Sequence, residues 1–248
     1  MIEVVGLSKS YGDYCAVSDV TFSAARGQIV GFLGPNGAGK TTTIRMLATY
    51  LPPTSGKASI AGFDIVSQAD EVRKRIGYLP ENPPLYPEMT VSEYLGFVAD
   101  IKRVPRSEKR ERIARVMEQC FITDVRNKLC QHLSRGYRQR VGLAQAIIHN
   151  PEVIILDEPT SGLDPKQIID IRQLIHSLAE SHTVLLSTHI LPEVSMVCNK
   201  VVIVNRGRVV IESLLSQLTR EKDLEQIFIE SVSKEDALEV GKPMSLAS

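Results

Sequence analysis

The chemistry in this chain is concentrated in one run of eight residues, Gly34-Pro35-Asn36-Gly37-Ala38-Gly39-Lys40-Thr41, set between an apolar stretch, Ile29 to Leu33, and an apparent helix, Thr42 to Ala48. The spacing G-x-x-x-x-G-K-[ST] between a strand and a helix is the pattern of a loop that encloses nucleotide phosphates. Its glycines let backbone N–H groups turn towards an anion, and the helix start adds partial positive charge. Lys40 is placed to neutralise the β- and γ-phosphates, and the Thr41 hydroxyl to ligate Mg²⁺. A second centre follows Val153-Ile154-Ile155-Leu156, an apolar strand that ends in Asp157-Glu158. Such a strand delivers its terminal carboxylate to the sheet edge, so Asp157 is expected on the metal side. Glu158, one residue on, is placed to orient or deprotonate an attacking water.

Positioning these groups requires a sheet with helices on its faces. Short β-branched runs alternate with helical stretches for most of the length, which predicts an α/β fold with a mainly parallel sheet. Strands are expected at Ile2 to Val5, Val17 to Ser23, Ile29 to Leu33, Ala58 to Ile60, Ile76 to Leu79, Val153 to Asp157, Val184 to Ser187 and Val201 to Val204, with shorter ones at Arg208 to Ile211 and Gln226 to Ile229. Between about 82 and 150 the strands stop, and helices separated by Pro83, Pro84, Pro87 and Pro105 read as an inserted subdomain. Thr90-Val91-Ser92-Glu93 has capping-box form, and Ser107 is the expected cap of the next helix. Lys102 to Arg140 carries twelve Lys/Arg against four acids, a local excess of 12 − 4 = +8 read as a solvated helix face in preference to a docking surface for an anionic partner. Residues 1–212 are expected to form one nucleotide-binding unit, and 213–248 a small charged appendage and tail ending in Gly241-Lys242-Pro243.

At 248 residues there is room for one large domain or two small ones at about 150 residues each. Lys+Arg and Asp+Glu are each 29, so the chain lacks the basic excess of a nucleic-acid binder and no nucleic-acid partner is expected. Apolar residues at 43% and charged ones at 23% exclude disordered and fibrous classes. No run approaches the roughly 20 apolar residues of a membrane span, so any membrane role must pass through a partner. The N-terminus lacks an export signal, and Cys15, Cys120, Cys130 and Cys198 form no C-x-x-C pair, which together point to a reducing cytosol.

Which nucleotide hydrolase this is depends on residues elsewhere. Leu133-Ser134-Arg135-Gly136-Tyr137-Arg138-Gln139-Arg140 resembles the signature sequence of ATP-binding cassette (ABC) proteins. Tyr11, before Gly12, matches that family's adenine-stacking aromatic, and Gly77-Tyr78-Leu79-Pro80-Glu81 sits where its Q-loop belongs. Ser161-Gly162-Leu163-Asp164 follows Glu158-Pro159-Thr160 as the D-loop does, and Ser187-Thr188-His189 ends the next strand as the switch histidine does. The resemblance covers about Ile2 to Gly207. It implies a P-loop NTPase fold, a RecA-like core with an N-terminal antiparallel β subdomain and an inserted helical subdomain. It also implies an ATPase in which Tyr11 and residues Gly34 through Thr42 hold ATP, with Thr41, Asp157 and Glu81 around Mg²⁺, and Lys40, Glu81, Glu158 and His189 acting in hydrolysis.

Ser134 can cap the helix that runs through Val141, Ala144 and Ile148, which makes a second anion-binding helix end. In the ABC family that end serves the partner's ATP, so the resemblance implies a head-to-tail pair, expected to be a homodimer. Ser134, Arg135, Gly136 and Tyr137 would then face the partner site, with Asp164 at the dimer contact. Asp164-Pro165 also reads as an N-cap with proline at the first helical position. Three positions depart from the family pattern: Glu81 where Gln is usual, Arg135 where Gly is usual and Tyr137 where Gln is usual. Glu81 is expected still to couple the site to the helical subdomain. Arg135 is expected to point either to solvent or to the partner's ATP.

Among cassettes, Tyr78 to Asn82, the signature segment and Leu224-Glu225-Gln226-Ile227-Phe228 most resemble the ABC-2 type exporters, including gliding-motility-associated systems. That implies an ATP-hydrolysing subunit on the cytoplasmic side of the membrane, bound to a separate integral membrane permease. The permease is expected to dock near Glu81 to Leu95, over Pro83, Pro84, Leu85, Tyr86 and Met89. A soluble ABC ATPase acting on ribosomes or DNA is the alternative, opposed by the single signature and the lack of a heptad tract. A GTPase is opposed by Asn199-Lys200, which no guanine-selecting Asp follows.

Overall fold

A computed structural model describes residues 1–219 and 223–231. Five consecutive apolar or acidic-ended positions make β3 (Ile29–Leu33) and β7 (Val153–Asp157), and both are buried along their whole length, as is β8 (Thr183–Thr188). Continuous burial is what a parallel strand covered on both faces requires. With β6 (Ile76–Leu79), β9 (Lys200–Asn205) and β10 (Arg208–Leu214) they form one six-stranded sheet, ordered β10-β9-β3-β8-β7-β6 and parallel except for β10.

Alternate residues of these strands feed two cores. Ile29, Leu33, Ile154, Leu156, Val184 and Leu186 face one side, and Val30, Phe32, Val153, Ile155, Leu185 and Val202 the other. The second side is covered by an antiparallel sheet ordered β2-β1-β4-β5, built from β1 (Ile2–Tyr11), β2 (Tyr14–Ala24), β4 (Ser55–Ile60) and β5 (Phe63–Asp64). β1 and β2 run well past the expected Val5 and back before Val17, through register shifts, to a hairpin tip at Tyr11 and Tyr14. Also on this side are α1 (Lys40–Leu47), which begins two residues before the expected Thr42, and α2 (Ala69–Arg75).

The first side is covered by the segment between β6 and β7, which contains no strand: α3 (Val91–Ile101), α4 (Arg106–Gln119) and α5 (Arg135–Ile147), with short 3-10 turns at Thr123–Val125 and Cys130–His132. Thr90 starts α3 with the full reciprocal cap, the Thr90 oxygen accepting from Glu93 N at 3.3 Å and Glu93 Oε2 accepting from Thr90 N at 2.8 Å. Ser107 does not cap α4. The helix starts at Arg106 on Pro105, whose φ of −55° is already helical and whose missing N–H loses nothing at a helix start. α6 (Pro165–Ala179) and α7 (Leu191–Val197) complete this face.

Past β10 and α8 (Leu215–Leu218), the expected strand at Gln226 to Ile229 is instead part of a helix, α9, over residues 224–231. Leu224, Ile227 and Phe228 lie at helical spacing on one face, and that stripe packs into the first core. The expected tail around Gly241-Lys242-Pro243 lies outside the described residues. All four cysteines are free, and only Cys15 is exposed.

Candidate active site

Parallel register sets the site. Leu33 is level with Thr188, and Asp157 with Ser187, so the loop after β3, the acids after β7 and the histidine after β8 leave the sheet at one edge. Ligands of open α/β sheets bind outside these carboxyl ends. The loop from Gly34 is tight: a Cβ on Gly34 would stand 2.4 Å from Val204 O, and one on Gly39 2.7 Å from Ala16 O. Gly37 and Gly39 hold φ of 80° and 94°, and Gly39 is the N-cap of α1. These backbones can follow this path only without a side chain.

Lys40 is 6% exposed, and its Nζ donates to Gly34 O at 2.8 Å and Pro35 O at 3.2 Å. The same Nζ lies 3.5 Å from Glu158 Oε1. Burial pulls the Lys40 ammonium below its ordinary pKa, against the opposing charges of Glu158, Asp157 and Glu81. Glu158 is itself buried and holds a left-handed backbone, φ 49°, unusual for a residue with a Cβ. Its N–H donates to Ser187 O at 2.9 Å, and its second oxygen lies 2.9 Å from His189 Nδ1. Lys40 and His189 thus converge on the two oxygens of one carboxylate.

Asp157 is 1% exposed; burial raises its pKa, while the neighbouring hydroxyls of Ser187 and Thr41 favour its charged form. Its Oδ1 is buried with no hydrogen-bond partner. An orphaned carboxylate oxygen beside a threonine hydroxyl fits a hard divalent cation such as Mg²⁺. Among the described residues no cluster of three or more His, Cys, Asp or Glu stands ready for a metal. Magnesium characteristically takes one or two protein oxygens and completes its shell with phosphates and water.

Tyr11, Asn36, Gly37, Gly39, Lys40, Thr41, Thr42, Glu81, Glu158 and His189 line one open cleft of about 410 Å³. Gly34, Pro35 and Ala38 form the back of the loop and do not line it. Ser161, first of the D-loop-like run, also lines it, as do Tyr14 and Ala16, which no spacing in the sequence singles out; Tyr14 pairs with Tyr11 across the hairpin tip, which only the β1–β2 register reveals. Gln139 is a further residue that sequence reasoning misses: its Nε2 donates to Glu81 O at 2.9 Å, tying α5 to the Glu81 segment.

Ser134, Arg135, Gly136, Tyr137 and Asp164 lie outside this cleft and form a second cluster. Ser134 caps α5 by accepting from Tyr137 N at 3.4 Å, and Asp164 caps α6 with a complete capping box through Gln167. Gly136 abuts the Gln167 side chain, and Arg135 reaches Ser161 Oγ at 3.4 Å. Arg135 is exposed, and its head group lies on the Ser161-Gly162 turn of its own chain. Tyr137 donates to Asp124 Oδ2 at 2.5 Å and contacts Arg140. In the segment 83–89, Pro84, Tyr86, Pro87 and Glu88 are exposed, while Leu85 and Met89 pack partly buried against the core.

Comparison with known proteins agrees with this geometry. Residues 17–161 match the family described as ABC transporter. The chain is 39% identical over 219 residues to the ABC transporter ATP-binding protein NatA of Bacillus subtilis, covering 86% of this chain and 89% of that one. It is 40% identical over 214 residues to the bacitracin transport ATP-binding protein BcrA of Bacillus licheniformis, covering 86% and 69%. A solved ATP-binding subunit of an ABC transporter superposes with a TM-score of 0.85 at 31% identity, covering 93% of this chain and 99% of that one. The dimeric ATP-binding cassette MJ0796, in a post-hydrolysis state with ADP and Pi, gives 0.79 at 26% identity, covering 87% and 99%. The cleft is thus that of a P-loop ATPase, and the chain belongs to the family of ABC transporter ATP-binding proteins.

Proposed function

We propose that this chain is the ATP-hydrolysing subunit of an ABC-2 type exporter, and that it drives a separate membrane permease by pairing on ATP. The observation that carries the reading is the convergence of Lys40 and His189 on Glu158 beside the phosphate loop. Tyr11, with Tyr14 beside it, offers a stacking face for adenine. The loop N–H groups and Lys40 hold the phosphates, and this requires Lys40 to leave the carbonyls of Gly34 and Pro35 for the stronger anion. Glu158 orients the attacking water and accepts its proton, while His189 holds the second carboxylate oxygen and reports on the γ-phosphate. Thr41 and Asp157, with Glu81 nearby, are the residues that would hold Mg²⁺, which when bound offsets the charge of the β- and γ-phosphates.

Two copies would pair head to tail, so that the Ser134 end of α5 and the Asp164 turn of one chain complete the cleft of the other; a homodimer would carry two complete sites. Among the described residues no helix is long and apolar enough to cross a membrane. We assign the membrane partner to the exposed rings of Tyr50 and Tyr86 beside the helical subdomain. Tyr50 stands 5.4 Å from Tyr78 and Tyr86 5.2 Å from Phe97, with the buried Tyr94 6.0 Å from Tyr86. Tyr86 follows the Glu81 segment that Gln139 holds, so the docked partner and the cleft share one connection. Export as the direction is supported by a relative named for Nod factor export.

The test is a detergent pull-down from native membranes of tagged Glu158→Gln protein with MgATP. A stoichiometric polytopic protein supports the reading, and its loss in Tyr50→Glu/Tyr86→Glu would locate the contact. Recovery with ribosomal or DNA-linked partners in the soluble fraction would replace it with a non-transport ABC function.

A further inference from the structure

Glu193 is a carboxylate 1% exposed, on the first turn of α7, with no cation paired to it among the described residues. Its two oxygens are used separately. Oε1 accepts the Thr160 hydroxyl, and Oε2 accepts the Thr188 hydroxyl at 2.6 Å. The Thr188 oxygen in turn accepts Ile190 N at 3.0 Å. Thr160 lies two residues after Glu158, Thr188 immediately precedes His189, and Glu158 and His189 meet at 2.9 Å. The contacts therefore close a ring that runs Glu158, Thr160, Glu193, Thr188, His189 and back to Glu158.

Burying a carboxylate against two neutral hydroxyls is a poor way to stabilise a fold. Desolvation of the charge opposes it, and an apolar side chain of similar size would fill the space without that cost. What the arrangement supplies is geometry. Glu158 sits at φ 49°, a conformation that persists only when its surroundings over-determine it, and the segments on either side of the Glu158–His189 contact belong to different strands. Glu193 bolts those two segments together from behind.

We propose that Glu193 is a positioning residue for hydrolysis. By holding Thr160 and Thr188 it sets the distance between Glu158 and His189, and it links the 160–164 turn to the switch histidine, so that displacement of that turn is felt at the carboxylate. The proposal rests on the reading that Glu158 and His189 act in ATP hydrolysis.

The experiment is steady-state ATPase and nucleotide affinity of the full chain for Glu193→Leu, Glu193→Gln, Thr160→Val and Thr188→Val, with Thr160→Ser as the conservative control and Glu158→Gln alongside. A misplacement of about 1 Å at a reacting group costs on the order of 10²-fold. Glu193→Leu is accordingly expected to lose about 10- to 100-fold in kcat, with KM and ATP affinity within about twofold and no loss of thermal midpoint. Thr160→Ser should stay near wild type, and Thr160→Val combined with Glu193→Leu should lose no more than the worse single variant. If Glu193→Leu does not fold, Glu193→Gln and the two valine variants decide. Unchanged kcat in the Glu193 and valine variants while Glu158→Gln is inactive overturns the proposal alone, as does a loss in which kcat, KM and thermal midpoint fall together. Full turnover in Glu158→Gln overturns the underlying assignment, and the proposal with it.

Discussion

The guanidinium of Arg135 lies across Gly162: a Cβ built on that glycine would stand 2.5 Å from Arg135 Cζ and Nη1. Gly162 also holds φ 69°, so it is required both for conformation and for clearance. Gly162→Ala is expected to cost about 1–3 kcal/mol. Because the crowding atom is the end of a flexible side chain, Arg135→Gly in the same chain should recover the steric part and leave the conformational part. Urea unfolding of the two single variants and the double variant measures this coupling; strict additivity would show that the contact is absent in solution. Arg135→Gly alone should leave affinity for ATP in its own cleft unchanged, since Arg135 does not line it.

Removing divalent metal is expected to abolish turnover, and Mg²⁺ to restore it. Asp157→Asn should raise the Mg²⁺ concentration needed for half-maximal rate, because the buried Oδ1 without a partner is the group that a cation would satisfy. His189→Ala should lower kcat by about 10²–10⁴-fold while nucleotide affinity holds, the range for a positioned proton-transfer or orienting group. Fluorescent-nucleotide titration beside phosphate release separates the two effects, and equal losses in both would assign His189 to binding.

The protein is expected to lose stability in mild acid through His149. Burial first, and the Lys102 charge second, pull its pKa from 6.5 to about 4, while a bond between Nε2 and Ile76 O at 3.0 Å leaves Nδ1 buried without a partner. The unfolded chain takes up this proton below about pH 6.5 and the folded chain only near 4. Stability is therefore whole above 6.5, falls between 6.5 and 4 by up to about 3 kcal/mol, and is level below. Denaturant midpoints at pH 4.5 and 7 should converge in His149→Gln relative to wild type; an unchanged gap would assign the acid sensitivity elsewhere.

Two glycines of similar appearance in the sequence should respond with opposite signs. A Cβ on Gly77 of β6 would stand 2.1 Å from Ala146 O, a backbone atom of α5 that cannot step aside, so Gly77→Ala should destabilise by about 1–3 kcal/mol or more. Gly96, inside α3, has only the end of the Lys109 side chain within 4 Å, nearest at 3.9 Å, and Gly96→Ala should stabilise by about 0.5–1 kcal/mol. Thermal unfolding of both decides, and a matching sign would refute the close packing of α5 on β6.

Much of this protein is written locally. The phosphate loop, the acid-ended strand at Asp157, the Thr90 and Asp164 caps and the alternation of strands and helices all depend on residues within one or two turns of each other, so spacing alone reveals them. Where short-range signals compete, sequence is a poorer guide: Ser107 loses the α4 start to Pro105, and residues 224–231 become a helix because Leu224, Ile227 and Phe228 can bury a stripe in a core built by distant segments. Tertiary structure alone decided that Arg135 rests on Gly162, that Gln139 holds Glu81, and that Glu193 joins Thr160 to Thr188. Each of these contacts spans 5 to 58 positions in the chain, and hydrogen bonding and close packing are short-ranged in space but indifferent to sequence distance.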